Sequence, residues 1–193
     1  IETEYVQASL FHEGLALVVK EMGKLTYINE DLEEVIVLDS AIVSGCFNEG
    51  VAKFKNISNG KWGFINNKGD VVIDPIYDYA SCFYNSHALV EINGEKGAIN
   101  KGGDFIIKAK DKYLYLLPTT ENLCGYKTKQ ECGYLDYENN KVIKNRKWTA
   151  ITNFNNDLAS YQKDKKWGLL NKQGEILIRN KYTFPLFFYN ELC

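Results

Sequence analysis

Histidine is scarce in this sequence: His12 and His87 are the only two among 193 residues. A Ser-His-Asp or Cys-His arrangement needs a convergent, oriented pair, and two histidines with scattered carboxylates form no recognisable metal set. The five cysteines, Cys46, Cys82, Cys124, Cys132 and Cys193, never occur as CxxC, so the common zinc and redox spacings are missing. Their odd number fits buried thiols in a reducing compartment better than a disulfide framework, which points towards the cytoplasm. No apolar run approaches the roughly 18 residues of a membrane-spanning helix. No basic block is present to neutralise phosphates; a net charge of −2 comes from 23 basic and 25 acidic residues spread along the chain. That argues against nucleic acid as a partner. The glycines separate strand-like segments rather than a strand from a helix, so none builds a phosphate loop. Proline, at three residues, is also low.

Aromatic residues, by contrast, are plentiful, with 13 Tyr and 10 Phe. Such side chains suit a pleated, half-buried surface, so the composition leans towards strands. Hydrophobic residues make up 45%, enough for a packed core. The stretch "GKWGFINNKGD" at 60–70 returns as "KKWGLLNKQGE" at 165–175.

These two segments belong to a longer repeat. A small residue recurs at Ala16, Ala52, Ala88, Cys124 and Ala159, with steps of 36, 36, 36 and 35. Five residues earlier stand Phe11, Phe47, Phe83, Thr119 and Phe154. Two residues before each small residue is a turn-former: Gly14, Gly50, Ser86, Asn122 and Asp157. The Gly that follows Trp aligns as Thr26, Gly63, Gly97, Gly133 and Gly168. After it come Ile28, Ile65, Ile99, Leu135 and Leu170, then Asn29, Asn66, Asn100, Asp136 and Asn171. A further Gly follows at Gly69, Gly103 and Gly174, with Asn139 once in its place, and then an apolar pair such as Val72-Ile73. A final aromatic recurs as Tyr5, Tyr77, Tyr113, Trp148 and Tyr182, with Ala41 breaking the series. The chain therefore reads as one domain, 1–193, of five full copies of about 35 residues: 11–46, 47–82, 83–118, 119–153 and 154–187. Partial copies fill 1–10 and 188–193.

Period-2 stretches bounded by Gly, Asn and Asp are strand signals. Three strands per copy are expected, in copy two at 50–56, 61–66 and 71–74. "SNG" at 58–60 closes the first hairpin, and "NNKGD" at 66–70 forms a second turn in which Gly69 takes φ > 0. The small residue is expected to face the Trp position across the hairpin, Ala52 with Trp62 and Ala159 with Trp167. Copy four then places Cys124 opposite Cys132, close enough for a cross-strand disulfide as the alternative to two buried thiols. The Gly after Trp leaves room for a neighbouring backbone or ring. One copy cannot bury its apolar face alone, whereas stacked copies can. Tyr5–Ala16 and Tyr182–Cys193 cover the same phase twice, which favours an open solenoid-like array over a five-bladed propeller-like ring. Ile rather than Met at position 1 fits a processed start or a piece of a longer protein, and the incomplete end copies fit such a piece or an array without dedicated caps.

The pattern resembles the WG β-repeat family, also called KWG repeats. The residues that carry the likeness are Lys61-Trp62-Gly63-Phe64-Ile65-Asn66 with Lys68-Gly69, and Lys166-Trp167-Gly168-Leu169-Leu170-Asn171 with Gly174. "DPIYDYASCF" at 74–83 is similar to the segment between repeats, and the Phe-x-x-Gly-x-Ala pieces at 11–16 and 47–52 to the repeat opening. Copies one and four are degenerate, with Leu25 and Cys132 at the Trp position. The resemblance implies a bacterial-type β-rich repeat protein. It brings no shared catalytic residues and leaves export as well as the cytoplasm open.

The function expected from these observations is a non-enzymatic β-repeat interaction module that binds a protein partner along an extended surface. No catalytic, cofactor-binding or metal-binding residue is assigned, and the binding residues stay unassigned. Two alternatives stand beside it. If the recurring aromatics were exposed, their faces would stack sugars, as in a cell-wall or surface carbohydrate-binding module. The incomplete end copies suit a repeat segment of a longer enzyme or toxin. Copy four departs furthest from the pattern, at 110–133, by drift or by a site. Exposed strand edges at the ends of an array invite end-to-end self-association.

Overall fold

The computed structural model describes residues 5–39, 41–110, 113–118, 120–136 and 141–187. Thr119, Asn139 and the sixth-copy segment 188–193, Cys193 included, lie outside the described residues. The protein is all-β, built from tandem repeats that form five four-stranded antiparallel sheets. Sheet one contains β1 (Tyr5–Ala8), β2 (Ala16–Lys20), β3 (Leu25–Ile28) and β4 (Glu34–Leu38). Sheet two follows as β5 (Ala41–Ser44), β6 (Val51–Asn56), β7 (Trp62–Asn66) and β8 (Val71–Tyr77). Sheet three has β9 (Tyr79–Ala80), β10 (His87–Ile92), β11 (Glu95–Asn100) and β12 (Phe105–Lys110). Sheet four is β13 (Tyr115–Leu116), β14 (Leu123–Lys127), β15 (Cys132–Asp136) and β16 (Lys141–Asn145). Sheet five is β17 (Ala150–Ile151), β18 (Leu158–Lys163), β19 (Lys166–Asn171) and β20 (Ile176–Tyr182). The chain folds as two compact units, Ile1–Phe105 and Ile106–Cys193, with their boundary in β12.

Three strands per copy proves one too few. The segment around the final aromatic supplies a further strand, and it pairs forward into the next copy: β5 lies in copy one by sequence but hydrogen-bonds to β6 of copy two. Neighbouring copies are thus joined by a ladder as well as by packing. Tyr5–Ala8 likewise pairs forward, as the first strand of sheet one, with β2. A hydroxyl extends this junction in three copies. The side chains of Ser9, Ser81 and Thr152 accept the amides of Leu17, Leu89 and Ser160 at 2.9, 2.9 and 3.0 Å.

The expected pairing of the small residue with Trp is overturned. Ala52 faces Ile65 and Ala159 faces Leu170, while Trp62 faces Lys55 and Trp167 faces Gln162. The hairpins turn later along the chain than the expected register requires. In copy five a two-residue turn, Asp164-Lys165, joins paired Lys163 and Lys166, with positive φ at both turn residues. Trp is then three positions out of register with the small residue, which puts the two on opposite faces. Cys124 likewise faces Leu135, and Cys132 faces Lys127. Both are free thiols, so the cross-strand disulfide does not form.

The principle of small against large survives with different partners. Ala16, Ala52, Ala88, Cys124 and Ala159 face Ile28, Ile65, Ile99, Leu135 and Leu170. Two positions along, the relation inverts: Phe54, Val90, Tyr126 and Tyr161 face Gly63, Gly97, Gly133 and Gly168. The expectation of close approach at the Trp-Gly glycine is met. A Cβ on Gly63 would lie 2.6 Å from the Ile73 carbonyl oxygen, and one on Gly168 2.5 Å from that of Ile178. In both copies the third strand bulges there, at Asp74-Pro75-Ile76 and Arg179-Asn180-Lys181, between the pairs Phe64–Ile73 and Trp62–Tyr77 or their copy-five counterparts. A bulge also accommodates the proline that a central ladder would reject.

The repeat Asn shapes the second turn. Asn66 Oδ1 accepts the amides of Lys68 and Asp70 at 2.9 and 3.0 Å, while its Nδ2 donates to Asp70 at 3.0 Å. Asn100 and Asn171 repeat these contacts. The side chain takes over amides that the turn would leave unpaired, which explains why Asp or Glu follows the Gly.

Within each unit the sheets pack face to face. In the first unit Tyr27, Ile36 and Leu38 of sheet one meet Phe47, Phe54 and Ile65 of copy two. Phe64, Ile73 and Tyr77 then meet Phe83, Val90 and Ile99 of copy three. In the second unit Tyr134 and Ile143 meet Phe154, Tyr161 and Leu170. Each junction centres on an edge-to-face ring pair: Tyr27–Phe47 and Phe64–Phe83 at 4.8 Å, and Tyr134–Phe154 at 4.6 Å. Such pairs add about 0.5–1.5 kcal/mol beyond burial alone. The repeat Phe is therefore the contact through which one copy recognises the next.

Candidate interaction site

The turn that opens each copy has positive φ at both central residues, from Glu13-Gly14 through Asn156-Asp157. In the first unit these turns are linked by carboxylates. Glu13 accepts the amides of Glu49 and Gly50 at 2.6 and 2.8 Å, and Glu49 accepts that of Ser86 at 2.8 Å. Lys101 donates to the Glu49 carbonyl at 2.9 Å and pairs with its carboxylate at 3.2 Å. Burial pulls the Glu49 pKa up, but the Ser86 and Asn85 amides and Lys101 outweigh it and hold the carboxyl below its ordinary range. In the second unit Glu121 accepts the Asp157 amide at 3.1 Å. Lys172 lies 2.7 Å from Asp157 and 3.0 Å from Glu121. Its pKa is raised, chiefly by the hydrogen bond to Asp157. Glu121 and Asp157 thus share one ammonium across two opening turns.

The histidines stand beside opening turns of different sheets, His12 bridged to Leu15 and His87 to Tyr84. Among the described residues no three His, Cys, Asp or Glu side chains gather as a metal site. Cys124 is buried; its thiol lies 3.2 Å from the Leu117 carbonyl, and burial pushes its pKa up to about 12. Cys132 is also buried, Cys46 half-buried and Cys82 exposed.

The recurring aromatics do not form an exposed row. Tyr77, Tyr113 and Trp148 are buried; only Tyr182, on the terminal strand of sheet five, is exposed, at 39%. Three of the five positions thus belong to the core, so the recurring aromatics present no continuous exposed row.

A different aromatic set is presented in the first unit. The Lys53 ammonium lies 4.7 Å from the Trp62 ring centroid and 5.9 Å from that of Tyr79, and donates to the Ala80 carbonyl at 3.0 Å. Lys55 also approaches the Trp62 ring, at 5.9 Å from its centroid. Trp62 is half-buried against the core and Tyr79 is 51% exposed. Beside them Lys61 pairs with Asp78, which also accepts the Asn93 amide. Cation–π contacts of this kind fix long side chains at a surface. The sequence held a signal for this cluster: Lys53 occupies a position filled by Leu17, Leu89, Gly125 and Ser160 in the other copies.

Residues 62–95 and 133–167 match the sequence profile of the family described as WG containing repeat. These two segments carry the WG repeat. Each matched window is one period long and begins in the Trp-Gly strand, so a WG repeat counted this way spans two successive sheets. The second window opens at Gly133, inside the degenerate copy four. No curated protein matches the chain in sequence. Among solved structures, Hsv2p of Kluyveromyces lactis is similar with a TM-score of 0.51 and 9% identity, over 91% of this chain and 63% of its own. BamB from Moraxella catarrhalis is similar with a TM-score of 0.44 and 11% identity, over 91% of this chain and 76% of that one. At such identities the likeness concerns the fold alone.

Proposed function

We propose that this WG-repeat chain is a non-enzymatic interaction module that binds a protein partner, and that the Lys53–Trp62–Tyr79 cluster is part of its contact surface. One observation carries the reading. A Trp and a Tyr, both anchored by the same lysine, stand at the surface in the one copy where that lysine replaces a small or apolar residue. Rigid aromatics lose little entropy on binding and dominate protein–protein contacts. Within the first unit the core residues of copies two and three are already spent on sheet packing, whereas Tyr79 and part of Trp62 are left to solvent.

The test is site-specific photo-crosslinking from position 79 in the native host. A discrete adduct that disappears with Trp62→Ala, while far-ultraviolet circular dichroism stays unchanged, is the expected result. Adduct formation indifferent to Trp62→Ala would overturn the placement of the surface. Turnover of a substrate, abolished by a point substitution, would overturn the non-enzymatic reading.

A further inference from the structure

We propose that the second unit holds a binding pocket for a phosphate group, built by the copy-four hairpin and the strand that follows it. The sequence shows no basic block, yet folding assembles a basic corner from two separate segments. A cavity of about 510 Å³ lies beside the turn between β14 and β15. Lys129, Lys144 and Arg146 line it, against a single carboxylate, Glu131.

The strand register explains the assembly. In copies two and five the third strand bulges directly after its apolar pair, and the residues equivalent to Lys144 are caught in the bulge. In copy four the ladder runs without interruption, pairing Cys132 with Asn145, Gly133 with Lys144 and Tyr134 with Ile143. Lys144 therefore lies across from a residue without a side chain. Arg146 follows directly on the Cys132–Asn145 pair, in the turn after β16, and lines the same cavity as Glu131 and Lys144. Lys129 reaches the same space from the turn.

The turn is held in shape independently of any ligand. The Thr128 hydroxyl oxygen accepts the amides of Gln130 and Glu131 at 3.2 and 3.1 Å, and the Thr128 amide donates to the Glu131 carbonyl at 2.9 Å. Glu131 is also engaged. Its Oε1 accepts the Tyr126 hydroxyl at 3.1 Å and lies 3.6 Å from the Lys144 ammonium. Burial, with the neighbouring carboxylate, raises the Tyr126 pKa and keeps that hydroxyl a donor. One carboxylate, held against the wall by a tyrosine, leaves Lys129 and Arg146 without ion-pair partners among the described residues. A guanidinium with two ammonium groups around an open cavity matches the shape and charge of a phosphate dianion.

The experiment is titration of the full chain with inorganic phosphate and pyrophosphate, followed by calorimetry and ³¹P NMR. Saturable binding to one site, weakened at least tenfold by Arg146→Ala and by Lys129→Ala, is expected. Both side chains are exposed, so folding is retained, and circular dichroism checks it. Lys68→Ala, in the first unit, should leave binding unchanged. Vesicles containing phosphatidic acid identify the source of the group. Retention on them that is lost in Arg146→Ala assigns a lipid headgroup, and pyrophosphate binding without retention assigns a soluble phosphorylated molecule. No saturable binding of either anion overturns the proposal. So does binding that Arg146→Ala leaves intact, or that Lys68→Ala weakens equally.

Discussion

Gly168 sits where β20 presses hardest on β19, so Gly168→Ala tests the close-approach argument directly. The added methyl would meet the Ile178 carbonyl oxygen at 2.5 Å and the Tyr161 ring at 2.8 Å. Ordinary contact begins near 3.4 Å, so the strand must retreat by about 0.9 Å. Retreat strains the pairs on either side, Leu169–Ile178 and Trp167–Tyr182. Overpacking costs about 1–3 kcal/mol, and one weakened ladder hydrogen bond about 1 kcal/mol more. Restricting the unfolded chain returns about 0.5–1 kcal/mol. The net loss is about 2 kcal/mol, which for a unit the size of 106–193 lowers Tm by about 8–16 °C. The assay is urea and thermal unfolding followed by Trp fluorescence in a Trp62→Phe background, where only Trp148 and Trp167 of the second unit report. Combining Gly168→Ala with Tyr161→Leu separates the two clashes. The ring contact is relieved and the carbonyl contact remains, so at least half of the loss should persist. An unchanged or raised midpoint in Gly168→Ala would refute the reasoning.

Copy one offers the converse, since Thr26 fills this glycine position on an unbulged stretch opposite Val37, and its buried hydroxyl has no partner. Thr26→Val should raise the stability of the first unit by about 1 kcal/mol in urea unfolding. Glu49 is held below its ordinary value of 4.5, so the stability it contributes is complete above that value and is lost as pH falls through the lowered one. Urea midpoints measured from pH 7 to pH 3 should show a shallower acid limb in Glu49→Gln than in the wild type. Peptide mapping after brief iodoacetamide treatment at pH 8 should find Cys82 alkylated and Cys124 protected until the chain unfolds, since a buried thiol with a pKa pushed up to about 12 offers almost no thiolate.

Repeat length, strand character and turn positions were legible because each rests on local chemistry. The 66–70 turn forms where Asn66 can bridge the amides and Gly69 can take φ = 87°. The hairpin register was not legible. It depends on whether a turn closes with two residues, as at Asp164-Lys165, or four, as at 57–60, and period-2 patterns fit either. The fourth strand escaped notice because its sequence belongs to one copy and its ladder to the next. Lys53 was visible as a broken rule in the series, but nothing in the sequence placed Tyr79 beside it.

The sequence by itself determined that this chain repeats, that the repeat is β, and that a single copy has an apolar face to cover. These follow from spacing, turn chemistry and side-chain size, which act over a few residues. Tertiary structure alone decided which aromatics are core and which stand at the surface, and which cations share a cavity. Tyr77 and Tyr79 are two residues apart, yet one is buried and the other exposed. Lys129 and Arg146 are far apart in sequence, yet line one pocket. Burial and convergence depend on which strand pairs with which and where a ladder bulges, and those outcomes minimise the free energy of the packed sheets rather than of any segment alone.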